Sequence, residues 1–158
     1  MQSGSFETVT RAVSPKSIVP TAWITALLLH DRPGVVDMAA GTSVAAGIAE
    51  ILKLAIDRRR PWPLGSTPWR SFPSGHSAAS TAYFMGTALL APREHRALAL
   101  GAACLAAAAV NALRVRARQH WLGDVIAGDA IAVAVILGAR LGRRGIRRRG
   151  PRRPDLDR

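Results

Sequence analysis

The run Ala97-Leu-Ala-Leu-Gly-Ala-Ala-Cys-Leu-Ala-Ala-Ala-Ala-Val-Asn-Ala-Leu113 carries no charge and no proline. A stretch this long and apolar is a helix that fills a core or crosses a bilayer, whose hydrocarbon layer takes about 20 helical residues. Its alanines and glycine favour closely packed helices over a strand-rich core. Four more apolar segments surround it, at residues 18–30, 34–56, 76–91 and 122–141. The pattern predicts an all-α chain, a membrane-embedded bundle of about five helices. Between the segments, Ala91-Pro-Arg-Glu-His-Arg96 reads as a short turn. The stretch Pro61-Trp-Pro-Leu-Gly-Ser-Thr-Pro-Trp69 holds three prolines and a glycine and cannot be a helix interior.

At 158 residues the chain is one domain. We divide it into an N-terminal segment at 1–17, a helical domain at 18–142 and a basic tail at 143–158. The formal charge is +12. Nucleic acid, anionic lipid or a phosphate substrate could each account for such a charge, so its location decides. Nine arginines follow residue 139, in a stretch with few apolar anchors that reads as disordered. Seven of the other thirteen lysines and arginines lie in the first and third of the clusters described below. A membrane and a phosphate-bearing substrate are therefore the expected partners, and nucleic acid is not. The first 17 residues lack a basic start followed by an apolar core, so no cleavable signal peptide is read there. Cys104 is the single cysteine, which excludes an internal disulfide, and it reads as a packed small hydrophobe.

Three clusters stand at the ends of the apolar segments. They are Lys53-Leu-Ala-Ile-Asp-Arg-Arg-Arg60-Pro61, Pro73-Ser74-Gly75-His76 and Arg114-Val-Arg-Ala-Arg-Gln-His120-Trp-Leu-Gly-Asp124. The first follows the segment at 34–56 and the second opens the one at 76–91. The third joins the segments at 97–113 and 122–141. In an up-down bundle all three meet at one end, with residues 31–34, 92–96 and the tail at the other. Trp62, Trp69 and Trp121 lie beside the clusters, where tryptophan at the headgroup level of a membrane belongs. The arginine excess predicts a multi-pass protein of the cell membrane with a cytoplasmic tail and the clusters facing outward.

The residue types suit phosphoryl transfer, which needs fixed cations, an aimed nucleophile and a proton for the leaving oxygen. His120 and Asp124 are four apart and share a helical face. A carboxylate there can hold one ring nitrogen and leave the other aimed and more nucleophilic. His76 follows Ser74 and Gly75 at a helix start, where backbone N–H groups bind anions and Ser74 can also serve as the cap. Lys53, Arg60 and Arg114 supply cations for phosphate oxygens, although Lys53 can also pair with Glu50 or Asp57 at helical spacing. Arg58, Arg59, Arg116 and Arg118 read as solvated or lipid-facing, Asp57 and Asp129 as structural, and His30 and His95 as remote from the chemistry. No metal-ligand set is evident, so no metal or other cofactor is expected.

The three clusters, in this order and spacing, resemble the phosphatidic acid phosphatase type 2 / vanadium haloperoxidase superfamily. That signature is K-x6-R-P, P-S-G-H and S-R-x5-H-x3-D, and one position departs from it: Leu113 stands where the third part has serine. The resemblance spans residues 45–140. It implies catalytic roles for His120 as the nucleophile that forms a phosphohistidine, Asp124 as its orienting partner and His76 as the acid for the leaving oxygen. It implies phosphate binding by Lys53, Arg60, Ser74, Gly75 and Arg114. The activity implied is metal-independent hydrolysis of a lipid phosphate or pyrophosphate. Polyprenyl pyrophosphate, a polyprenyl-phosphoryl sugar, phosphatidic acid and phosphatidylglycerol phosphate are the substrate classes. The alternatives are a vanadium-dependent haloperoxidase-like enzyme and a non-enzymatic basic membrane protein.

Overall fold

The computed structural model describes residues 14–62 and 68–148. Among the described residues there are five helices: α1 (Pro15–Leu28), α2 (Val35–Ala55), α3 (Gly75–Ala88), α4 (Arg96–Arg116) and α5 (Leu122–Arg148). One 3-10 turn, Arg93–His95, precedes α4, and no strand occurs among the described residues. The all-α bundle expected from the apolar segments is the fold.

Local sequence accounts for the boundaries. Pro15 starts α1 where its missing N–H is not needed. Gly34 precedes α2 at φ 93, a left-handed geometry that a side chain disfavours. Ser74 caps α3, its Oγ accepting from the Ser77 N–H. The main difference from expectation is α5. It runs to Arg148, past the 142 limit drawn for the helical domain, because the arginines that follow are good helix formers. The rest of the expected tail, and most of the N-terminal segment, lie outside the described residues.

α3 is the central element and packs against α1, α2, α4 and α5. Its Ala78, Ala79 and Ala82 are fully buried. Small residues allow that crowding. A Cβ on Gly128 of α5 would stand 2.6 Å from Ser74 O, and one on Gly86 of α3 would stand 2.5 Å from Met38 Cγ. Behind these contacts, Asp129 accepts from Thr81 Oγ1 at 2.7 Å and from Asn111 Nδ2 at 2.6 Å. That half-buried polar link joins α3, α4 and α5 and gives Asp129 the structural place expected of it.

The outside of the bundle is apolar. Leu98 is 77% exposed and Leu105 75%, and Leu54, Ile51 and Ile126 are exposed too. Val35–Ala55, Arg96–Arg116 and Leu122–Arg143 are each long and apolar enough to cross a membrane. Large exposed aliphatics on such helices suit lipid rather than water. Cys104 belongs to this outer surface: it is exposed, not packed in the core as expected. Alanine surrounds α4 on nearly every side, so the sequence carries no periodicity to say which side turns inward.

Helix order places the C-terminal ends of α2 and α4 beside the N-terminal ends of α1, α3 and α5. His30 and His95 fall at the opposite end. There His30 is exposed and pairs with Asp31 at 3.1 Å.

Candidate active site

The site is assembled by loops stitched backbone to backbone. Beyond α2, Arg60 N–H donates to Pro68 O at 2.9 Å and Trp62 N–H to Arg118 O at 3.1 Å. Ser71 N–H returns to Arg58 O at 2.9 Å, and Ser74 N–H donates to Asp124 O at 2.9 Å. The last bond joins the second and third clusters directly, and the other three tie the loop that carries the first cluster to itself and to Arg118 of the third. Arg118 turns the chain after α4 at φ 54, an uncommon geometry for a residue with a side chain.

His120 is 2% exposed and Asp124 is 0% exposed. His120 Nδ1 lies 2.8 Å from the Ser71 carbonyl oxygen. A carbonyl can only accept, so Nδ1 carries the proton and Nε2 of the neutral ring carries the lone pair. Asp124 Oδ2 is 3.6 Å from Nδ1, beyond hydrogen-bond reach but close enough to act as a charge. The division of labour therefore differs from the expected one: the Ser71 backbone holds the imidazole, and Asp124 supports it electrostatically. Asp124 is itself held at both oxygens. Oδ1 accepts from Arg58 Nη1 at 2.9 Å, and Oδ2 accepts from the Trp121 N–H at 2.8 Å. Burial pushes the His120 pKa down, the Asp124 carboxylate partly offsets this, and Arg60 and Arg114 push it down again. The net direction keeps the ring neutral at pH 7.

His76, in the first turn of α3, has the opposite arrangement. Its Nδ1 lies 3.2 Å from Arg114 Nη2. Arginine can only donate, so Nδ1 is the acceptor and the neutral ring carries its proton on Nε2. The two histidines thus present complementary ring nitrogens, one with a lone pair and one with a proton. Burial, then Arg114, His120, Lys53 and Arg60, bring His76 down to about 3. All three expected phosphate-binding cations therefore act on His76 at once.

Arg114 is buried near the end of α4, and its Nε has no hydrogen-bond partner. Leu113 beside it offers none. Arg60 Nη1 donates to Gln119 O at 2.8 Å. Lys53 Nζ pairs with Glu50 Oε1 at 2.6 Å in the last turn of α2, the helical pairing weighed above. Gly75 makes room for that pair, since a Cβ there would stand 2.7 Å from Glu50 Oε1 and 2.9 Å from Lys53 Nζ. Ser74 Oγ accepts from both the Ser77 N–H and the Ser77 hydroxyl, so its lone pairs serve the helix cap. Among the described residues no three His, Cys, Asp or Glu side chains are placed to hold a metal ion.

Two contributors were not legible. Arg58, read as solvated or lipid-facing, is the ion-pair partner of Asp124 and stands 5.8 Å from the centre of the Trp121 ring, within cation–π range. Ser71 holds His120 through its carbonyl, which any residue would supply, so that contact carries no side-chain signal. Trp62, Trp69 and Trp121 are exposed beside the site, and Trp121 Nε1 donates to Arg59 O at 3.0 Å.

No curated protein matches the chain. Two solved structures do. The first is a transmembrane PAP2-type phosphatidylglycerolphosphate phosphatase from Bacillus subtilis, with TM-score 0.76 and 20% identity over 95% of this chain and 78% of that one. The second is LpxE from Aquifex aeolicus, with TM-score 0.68 and 19% identity over 86% of this chain and 83% of that one. At these identities the likeness is one of fold. The family model of the PAP2 superfamily matches residues 34–147, a span that takes in all three clusters and four of the five helices, and the chain belongs to that superfamily.

Proposed function

We propose that the protein is a membrane phosphatase that hydrolyses a lipid phosphate or pyrophosphate through a phosphohistidine on His120. The observation that carries this reading is the pairing of tautomers. His120 Nδ1 is tied to Ser71 O, and His76 Nδ1 faces Arg114. One ring is left with a nucleophilic nitrogen and the other with a donor.

The steps follow from those positions. His120 Nε2 attacks phosphorus while Lys53, Arg60 and Arg114 hold the other phosphate oxygens. The P–N bond forms as the bond from phosphorus to the lipid oxygen breaks. The ring becomes cationic, and Ser71 O with the Asp124 carboxylate stabilises it. His76 must hold a second proton to act as an acid, and its low pKa in a cage of cations opposes that. A phosphate dianion supplies the missing countercharge. As Arg114 turns to the phosphate oxygens, His76 Nδ1 is released and can be protonated. The imidazolium then gives its Nε2 proton to the leaving oxygen. In the second half, His76 takes a proton from water, water oxygen bonds to phosphorus, the P–N bond breaks and inorganic phosphate departs.

The headgroup chemistry suits phosphatidylglycerol phosphate, phosphatidic acid, a polyprenyl pyrophosphate or a polyprenyl-phosphoryl sugar phosphate alike, since the site residues read only the phosphate. The fold shared with a phosphatidylglycerolphosphate phosphatase supports the first of these as the opening assay. Helix parity and the arginines after residue 139 support an outward-facing site with a cytoplasmic tail. The test is phosphate release by purified, detergent-solubilised protein across these lipids, in chelator. Release that survives chelator and is inhibited by vanadate is expected. A folded protein that releases phosphate from none of them, or only on adding a divalent metal, contradicts the reading. Bromination with vanadate and peroxide would favour the haloperoxidase alternative.

A further inference from the structure

At the bundle end opposite the histidines lies a pocket of about 530 Å³. Four arginines line it: Arg93 and Arg96 from the turn into α4, and Arg140 and Arg143 from α5. Asp37 of α2 is the one carboxylate among its lining residues, and it is ion-paired with Arg143. Arg96 enters the wall half-buried. Its Nη2 donates to Ala91 O at 3.0 Å, while its Nε is buried without a hydrogen-bond partner. The floor is apolar, formed by Met38, Leu89 and Ile136.

The arrangement selects a ligand class. Guanidinium groups only donate, so the pocket calls for an acceptor-rich anion, and a phosphate group suits Arg forks. The apolar floor would be wasted on a free ion, but it accommodates the first carbons of a lipid. An arginine that only sets membrane orientation needs no cavity. The volume lies in the usual range for small-ligand sites, roughly 300–1,000 Å³. The 14 residues of α3 separate this end from the catalytic one, about 21 Å at the usual helical rise. A ligand here is out of reach of His120. The pocket also joins elements that otherwise barely meet, because α4 and α5 have the thinnest packing of any neighbouring helices.

We propose that this pocket is a second, non-catalytic site that binds the phosphate headgroup of an anionic membrane lipid and clamps the free ends of α4 and α5. The proposal stands apart from the catalytic reading, since its readout is thermal stability. Full-length protein in neutral detergent is melted with phosphatidylglycerol, phosphatidylcholine or inorganic phosphate added. Phosphatidylglycerol should raise Tm by about 5 °C at saturation, and phosphatidylcholine should not. In the double variant Arg93→Gln/Arg96→Gln that rise should be lost, with the hydrolytic rate in detergent retained. Asp37→Asn, which releases Arg143 toward the ligand, should move the other way and lower the phosphatidylglycerol concentration needed. This second variant serves if the first does not fold. Equal stabilisation of wild type and double variant overturns the proposal, as does equal stabilisation by phosphatidylcholine. A rise with inorganic phosphate that disappears in the double variant would make the ligand a free ion and overturn the lipid assignment.

Discussion

The two ends of the bundle both gather positive charge, but they hold it differently. At the histidine end, Arg58 faces Asp124, Arg60 faces Gln119 O and Lys53 faces Glu50. Backbone bonds within and between the α2–α3 and α4–α5 loops set those positions. At the far end the arginines converge on an open cavity lined by a single carboxylate, with short turns between the helices. Charge alone therefore does not make the catalytic site. What separates the ends is a pair of histidines whose tautomers are imposed by neighbours of one hydrogen-bonding kind. Substitutions at the two ends should differ accordingly: sharp losses of rate at one, shifts in stability or lipid response at the other.

The largest effect is expected at His120. His120→Ala removes the proposed nucleophile and should lower kcat/KM by at least about 10⁴-fold on every phosphate ester. An aryl phosphate that is still turned over would point to direct attack by water. His76→Ala comes next, and its cost should depend on the leaving group. A lipid alkoxide needs the proton, so a lipid monophosphate should lose roughly 10²–10⁴-fold. An activated aryl phosphate should lose much less, with a lipid pyrophosphate between. Equal losses across the three substrates would leave His76 as a phosphate ligand only.

Arg58→Gln should be milder, about 10-fold in kcat, with KM little changed. Arg58 touches Asp124 rather than the substrate, so its loss costs orientation and not binding. Arg58→Lys should recover part of the rate. A loss confined to KM would make Arg58 a substrate contact instead. Smaller still is the pH response of stability. The folded pKa of His120 and His76 lies below the unfolded value of about 6.5. Below that pH the unfolded chain binds protons that the native chain refuses. Stability should therefore be full above about pH 6.5 and fall as pH drops through the window toward about 3. Replacing both histidines should flatten that slope, and Tm measured against pH in the two proteins checks it.

The helices and their order were readable because length, charge and proline placement mark helix ends in any environment. α2 and α4 begin and end within a few residues of the apolar segments that foretold them. The side chains of the candidate site were readable because phosphate chemistry restricts residue type. Ser71 escaped because a backbone carbonyl carries no side-chain signature. Arg58 escaped because it is one of three consecutive arginines, and only the path of the loop selects among them. Gly128 escaped for a related reason: one glycine among many in small-residue helices shows its purpose only when the Ser74 carbonyl is found against it. Gly128→Ala should cost about 1–3 kcal/mol through overpacking at that crossing.

The central claim is that His120 Nε2, not water, attacks phosphorus first. The stereochemical course of hydrolysis tests it most directly. A lipid thiophosphate made chiral at phosphorus with oxygen isotopes is hydrolysed in isotopically labelled water, and the configuration of the released thiophosphate is determined. Two successive in-line displacements, first by His120 and then by water, give net retention. Net inversion would mean a single displacement by water and would contradict the phosphohistidine account.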